Sequence, residues 1–220
     1  MIELMQKGGV LMWVIVTCSI LATGIFLERF FHYHRSFIEV SEFLNGLANL
    51  IRRKNFAEAR HECAVTHVPV ARVLHAAILR HDSPRAELKD IVQEAGQLEV
   101  PALEKNLPAL ATIAFIAPMI GFLGTVTGLM SAFATLSANS GYTSAIDISG
   151  AIYQCLITTA AGIAVAIPTF VAHQYLSARV DRLLRDMERA GIEMVQLLSD
   201  QAKERGDIIS FEEQNKKLTR

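Results

Sequence analysis

Between Asn106 and Ala178 the chain carries a single formally charged residue, Asp147, and otherwise reads as two long apolar segments dotted with hydroxyls. The first runs from Pro108 to about Ala138 and the second from Ile148 to about Leu176. Each exceeds the ~20 residues that an α-helix needs to cross a hydrocarbon core, so both are predicted membrane spans. A shorter run, Val10 to Leu27, has Trp13 near its start and Phe30, Phe31 and Tyr33 past its end, as interfacial anchors would be placed. It lacks the basic start and small-residue cleavage site of a signal peptide, and reads as a retained span.

A hydrophobic fraction of 51% would also suit a soluble core, but clustering of the apolar residues argues for the bilayer. The basic residues carry the topology. One Lys or Arg precedes the first span, eleven lie between Arg29 and Lys105, none lies between the second and third spans, and nine follow from Arg179. The positive-inside rule then puts the N-terminus outside and both basic regions in the cytoplasm. The expected fold is an all-α membrane protein. Its parts are an N-terminal segment with span one (1–31), a cytoplasmic helical region (32–107), span two (108–138), a short outer loop (139–147), span three (148–176) and a cytoplasmic helix and tail (177–220). Of the three cysteines, Cys18 and Cys155 fall within spans and Cys63 on the reducing side, so no disulfide framework is expected. His61, Cys63 and His67 match no zinc spacing, and no metal site is expected.

The cytoplasmic region shows helical periodicity throughout. Phe37, Val40, Leu44, Leu47 and Ile51 mark one amphipathic helix, and NFAEARHECA and VPVARVLHAAILR two short ones. Ser83-Pro84 reads as an N-cap and first helical residue. The helix that follows carries Leu88, Ile91, Val92, Ala95 and Leu98 and leads toward span two, with Pro101 and Pro108 as candidate kinks. Beyond span three, Leu176, Val180, Leu183, Met187, Ala190, Met194 and Leu197 form a heptad stripe, which predicts one helix of ~50 residues. Packing within the chain and self-association would both use such a stripe. The tail FEEQNKKLTR is polar, and is expected to be mobile.

At 100° per residue, Ala117, Gly121, Gly124, Gly128, Ser131 and Thr135 share one sector of span two, with Thr125 at its edge. Ala151, Cys155, Thr158, Gly162, Ala166, Thr169 and His173 share one side of span three, flanked by Gln154 and Thr159. Small residues so spaced let helix backbones approach closely, and hydroxyls in such a contact can bond back to their own helix. Polar residues within spans also line wet pathways. Neither span contains a carboxylate or amine. A channel built from these faces has polar walls and no titrating carrier in its middle.

These two spans resemble the MotA/TolQ/ExbB proton-channel family, in its three-span ExbB/TolQ branch. The resemblance rests on Ala117-Pro118-x-x-Gly121-x-x-Gly124-Thr125-Val126-x-Gly128-Leu129-Met130-x-x-Phe133 in span two. In span three it rests on Ile148-Ser149 and Leu156-x-Thr158-Thr159-Ala160-x-Gly162-x-x-Val165-Ala166-Ile167-Pro168. Glu28-Arg29 at the end of span one extends it. The resemblance implies a homopentamer around a dimer of a single-span ExbD/TolR-like partner, which contributes a membrane aspartate as the ion carrier. It implies H⁺ as the transported ion, no cofactor, and delivery of work to a TonB- or Pal/TolA-like envelope protein from a bacterial inner membrane. No nucleic-acid partner is expected.

On the same ground Thr125, Thr158 and Thr159, with Gln154, Ser131 and Thr135, are the candidate ion-pathway residues. Pro118, Gly121, Gly124, Gly128, Gly162 and Pro168 are the candidate packing residues. Gln154 stands where the family commonly has Glu, and His173-Gln174 where it commonly has Tyr-Asn. The first departure removes a titratable group and leaves room for Na⁺, which hydroxyl and amide oxygens suit. Catalytic residues are not expected, because no nucleophile–base pair or metal cluster occurs in the spans. The rival to a conducting role is a scaffold that anchors the partner.

Overall fold

A computed structural model describes residues 9–35, 40–66, 68–138 and 145–218. Among them the chain is helical, with no strand, in seven helices: α1 (Gly9–Arg35), α2 (Val40–Arg52), α3 (Phe56–Val65), α4 (Pro69–Leu79), α5 (Arg85–Glu104), α6 (Leu107–Ala138) and α7 (Ala145–Leu218). Phe37, His67, residues 139–144, the side chain of Asp147 and the side chains of the polar tail lie outside the described set. Three helical stretches are long and apolar enough to cross a membrane: Gly9–Phe31, Leu107–Ala138 and the part of α7 that begins at Ile148. The chain divides into two compact units, Met1–Phe31 with Lys105–Ala178, and His32–Glu104 with Arg179–Arg220.

In the membrane unit, α6 buries Leu110, Ala114, Ala117, Gly121, Gly124, Gly128 and Ala132, one residue per turn along a single line. Its other sides expose Phe115, Met119, Phe122, Met130 and Phe133. That inversion, small residues inside and bulky ones outside, is what a lipid-facing helix requires, because hydrocarbon is as good a solvent for Phe as a protein core. α1 buries Ile15, Ala22 and Arg29 at seven-residue intervals and leaves Val10, Trp13, Ile20 and Leu21 exposed.

The break before α6 does not fall where the prolines suggested. α5 runs through Pro101 to Glu104, and Pro108 is the second residue of α6, where its missing N–H would lack a helical partner anyway. The turn is made at Asn106, whose φ of 66° is left-handed. Asn tolerates this region better than most side chains. Its carbonyl accepts the first bond of α6 from the Leu110 N–H, at 3.2 Å. Its side-chain amide donates to Glu28 of α1, also at 3.2 Å.

The second unit has a conventional apolar core. Leu44, Leu47 and Ile51 of α2, Ala59 and Cys63 of α3, Val70, Val73, Leu74, Ala77 and Ile78 of α4, and Leu88 of α5 are buried. α7 adds Val180, Leu183, Met187, Ala190, Met194 and Leu198. The heptad stripe is therefore covered within its own chain. Its last member shifts from Leu197 to Leu198, because a straight helix at 3.6 residues per turn outruns a strict seven-residue repeat. The helix itself is longer than expected, 74 residues from Ala145 to Leu218. Leu98 departs from the predicted α5 stripe and is 73% exposed. Helix α5 begins at Arg85, with the Pro84 carbonyl accepting from the Leu88 N–H, so Pro84 is the cap rather than the first helical residue. Arg72 of α4 grips Glu99 of α5 with two parallel N–H donors, and the Tyr33 hydroxyl donates to the Leu103 carbonyl at 2.5 Å.

Candidate functional site

The contact between α6 and α7 is built around glycines. A methyl group added at Gly162 would lie 2.7 Å from the Ala117 carbonyl oxygen and 3.1 Å from the Gly121 Cα. One added at Gly121 would lie 3.0 Å from the Thr158 carbonyl oxygen and 3.1 Å from the Thr159 Cα. Backbone meets backbone at this level. Toward the other end of the contact the glycines become sockets: Thr158 fills the space over Gly124, and the Cys155 thiol the space over Gly128. Gly121, Gly124, Gly128 and Gly162 are thus brought together in one contact.

The hydroxyls divide into two sets. Thr158 is buried, and its Oγ1 donates within its own helix to the Gln154 and Cys155 carbonyls, at 2.9 and 3.0 Å. Thr125 is half-buried and donates to the Phe122 carbonyl at 2.6 Å. Ser131 and Thr135 donate to the Gly128 and Ser131 carbonyls and are exposed. Thr159 crosses between helices: its Oγ1 lies 3.0 Å from the Gly121 carbonyl of α6 and 3.1 Å from its own Cys155 carbonyl. A second cross-link runs from the Cys155 thiol to the Thr125 carbonyl at 3.4 Å. Thr125, Thr158 and Thr159 therefore gather at one level. Ser131 stands at the edge of the packed line and Thr135 beyond Ala132, the last buried residue on it, so both hydroxyls stay exposed.

Gln154 sits apart from this group. Its side-chain amide abuts Gly9 at the first residue of α1, where φ is +66° and an added Cβ would lie 2.7 Å from Nε2. Pro118 is half-buried and Pro168 exposed, each inside an unbroken helical stretch. Among the described residues no three His, Cys, Asp or Glu side chains are grouped to hold a metal ion.

Sequence reasoning missed one residue of this unit. Arg29 is 4% exposed, and its Nε has no hydrogen-bond partner among the described residues. Its nearest carboxylate, Glu28, is 3.5 Å away. The signal was present in the seven-residue spacing from Ile15 through Ala22 to Arg29, but charge at a span's end ordinarily reads as interfacial.

Residues 65–189, more than half of the chain, match the MotA/TolQ/ExbB proton channel family. The chain belongs to that family. The matched region takes in α4 and α5, α6 with its glycine line, and α7 as far as Arg189. Several relatives carry ExbB or TolQ names. An ExbB homolog of Methanothermobacter thermautotrophicus is 29% identical over 182 residues, 82% of this chain and 64% of that protein. The Tol-Pal system protein TolQ of Haemophilus influenzae is 37% identical over 124 residues, 55% of this chain and 54% of that protein. The biopolymer transport protein exbB1 of Vibrio cholerae is 25% identical over 189 residues, 84% of this chain and 83% of that protein. The chain thus spans just under two thirds of the first, about half of the second and most of the third.

Proposed function

We propose that this chain is the wall-forming subunit of an ion-driven transducer of the ExbB/TolQ kind, seated in an inner membrane with its N-terminus outside. It assembles as a homopentamer around a single-span ExbD/TolR-like partner. One observation carries the reading: the α6–α7 contact is lined with hydroxyls, a thiol and backbone carbonyls, and Asp147 is the one formal charge from Asn106 to Ala178. Such a wall lowers the cost of an ion without binding it tightly, and the titrating group comes from the partner's aspartate. The ion is H⁺ or Na⁺, and the work goes to a TonB- or Pal/TolA-like envelope protein. No chemical step on a substrate is involved, so the protein is not an enzyme.

Within this reading Thr125, Thr158 and Thr159 form the polar level of the wall, with Gln154, Ser131 and Thr135 toward its outer end. Each unit charge that crosses releases ~2.3 kcal/mol per 100 mV. The alternative is a scaffold that holds the partner without conducting. Ion flux into proteoliposomes containing the chain and its partner separates the two. Flux is expected, and its loss is expected when the partner's aspartate is replaced. Thr159→Val keeps the side chain's outline and removes the hydroxyl, so it should abolish flux while the complex still assembles. Undiminished flux in Thr159→Val returns that residue to packing alone, and flux that persists without the partner's aspartate refutes the shared pathway.

A further inference from the structure

Helix α6 is tied to its neighbours at two levels of the membrane unit. At the glycine contact the Thr159 hydroxyl and the Cys155 thiol of α7 donate to the Gly121 and Thr125 carbonyls. At its start the tie runs to α1 instead. The Asn106 side-chain amide, at the left-handed turn that precedes α6, donates to Glu28 Oε2 at 3.2 Å. Glu28 is itself held: its other oxygen, Oε1, lies 3.5 Å from an Nη of Arg29, whose side chain is buried. A buried guanidinium deprived of its counter-ion is costly, so the carboxylate is confined beside it. Helix α6 has no acidic residue in its first turn, where the helix dipole favours one. Glu28 supplies that anion from α1, through Asn106.

The two ties do different things. Where Gly121 and Gly162 meet backbone to backbone, no interlocking side chain resists a change of tilt, and the contact is a pivot. Asn106 stands 15 positions before Gly121, ~22 Å along a helix, and Gly128 seven positions after it, ~10 Å. A shift of about 1 Å at the Asn106 end moves Gly128 by roughly 0.5 Å the other way. That displacement matters at the far side, because the Cys155 thiol fills the socket over Gly128 and its bond to the Thr125 carbonyl is already 3.4 Å long.

We propose that Glu28 is a positioning residue for ion passage: by holding Asn106 it fixes the tilt of α6 about the glycine contact, and with it the Thr125 side of the polar level. The assignment rests on the ion-transduction reading for what is being positioned, while the tilt itself can be followed without flux.

The test uses the full chain with its partner in proteoliposomes, with flux expressed per assembled complex and native Cys155 as a distant reporter. Cys155 is buried, and its labelling by N-ethylmaleimide, mapped by mass spectrometry, should rise when α6 tilts away from it. Cys63 in the second unit is buried too, and its protection certifies that the fold persists. Asn106→Asp keeps a residue type that tolerates the left-handed turn but sets a carboxylate against Glu28. It should lower flux several-fold and raise Cys155 labelling several-fold, with Cys63 still protected. Adding Glu28→Gln to that chain lets the new amide donate to the new carboxylate, which restores the bond with donor and acceptor exchanged. Both readouts should then return most of the way to the parent values. Asn106→Gly removes the amide and eases the turn, and should shift both readouts in the same direction, which keeps the test decisive if Asn106→Asp does not fold. Cys155 labelling unchanged in both variants, a failed exchange rescue, or altered labelling with undiminished flux each overturns the proposal. A parent complex that carries no flux overturns the transduction reading instead, and Cys155 labelling then decides whether Glu28 sets the tilt of α6.

Discussion

Gly162→Ala tests whether the α6–α7 contact is set by backbone approach. The new methyl would meet the Ala117 carbonyl oxygen at 2.7 Å and the Gly121 Cα and N at 3.1 and 3.2 Å. All three are main-chain atoms of α6, so no side-chain rotation relieves the clash. The helices must separate by roughly half an ångström or more to restore ordinary van der Waals contact. Overpacking of this kind costs about 1–3 kcal/mol. The separation also stretches the 3.0 Å bond from Thr159 to the Gly121 carbonyl, and such interhelical bonds in membranes contribute about 0.6 kcal/mol on average. Alanine's better helix propensity returns at most ~1 kcal/mol. With that propensity gain counted in full, a net loss of about 0.6–2.6 kcal/mol changes the unfolding constant roughly 3- to 80-fold. Reversible unfolding in bicelles would measure it, with Gly24→Ala and Gly150→Ala as controls, because an added methyl at either meets nothing within 4 Å. If Gly162→Ala is as stable as those controls, the helices are not held at backbone distance and the packing argument fails.

Asn106→Ala should destabilise by about 1–2 kcal/mol through the left-handed φ alone, and lose the bond to Glu28 besides. Asn106→Gly should recover the backbone part only, an ordering that thermal unfolding of the three proteins would check. In the second unit, burial, and then the negative charge of Glu62, push the Cys63 thiol from 9.0 up to about 12. The folded state keeps this proton where the unfolded state loses it. Stability from this group is therefore complete below pH about 9 and declines as pH rises toward about 12. Melting temperatures between pH 8 and 11, compared with Cys63→Ala, should show the steeper alkaline decline in the parent chain, and an equal slope refutes the assignment. Cys63 should also react slowly with maleimide until the protein unfolds.

Much of this architecture is legible in the sequence, for a physical reason. A bilayer imposes long charge-free runs, and close helix contact imposes small residues at turn spacing, so α6, α7 and the glycine line between them could be read directly. The prolines misled because their cost depends on position: Pro108 in a first turn forfeits no helical bond, and the chain breaks at Asn106 instead. Ser131 and Thr135 fall in the sector that the helical projection marks, but burial along it ends at Ala132, a limit that depends on where the two helices part rather than on periodicity. Which acceptor each threonine chooses was not legible, since Thr158 and Thr159 are chemically identical neighbours and only their angular position sends one inward and the other across. The burial of Arg29 could not be foreseen from composition, because it depends on how the helices pack around the end of α1. The heptad stripe left two uses open, and its burial within the chain, with Val92 of α5 against Gly191 of α7, decides for the first.

Pro168 gives α7 a particular mechanical character. It is the one proline in the helix, so the Ala164 carbonyl is the one carbonyl inside it, away from the last turn, that proline deprives of its usual backbone donor. A rod with one missing rung has its bending compliance concentrated at that rung, while the turns on either side stay stiff. The residues flanking it, Ala164 and Val165 before and Thr169 and Val171 after, all border an open groove between α1 and α7. Whatever fills that groove therefore braces the softest point of the longest helix, and emptying it should raise the amplitude of flexing there first.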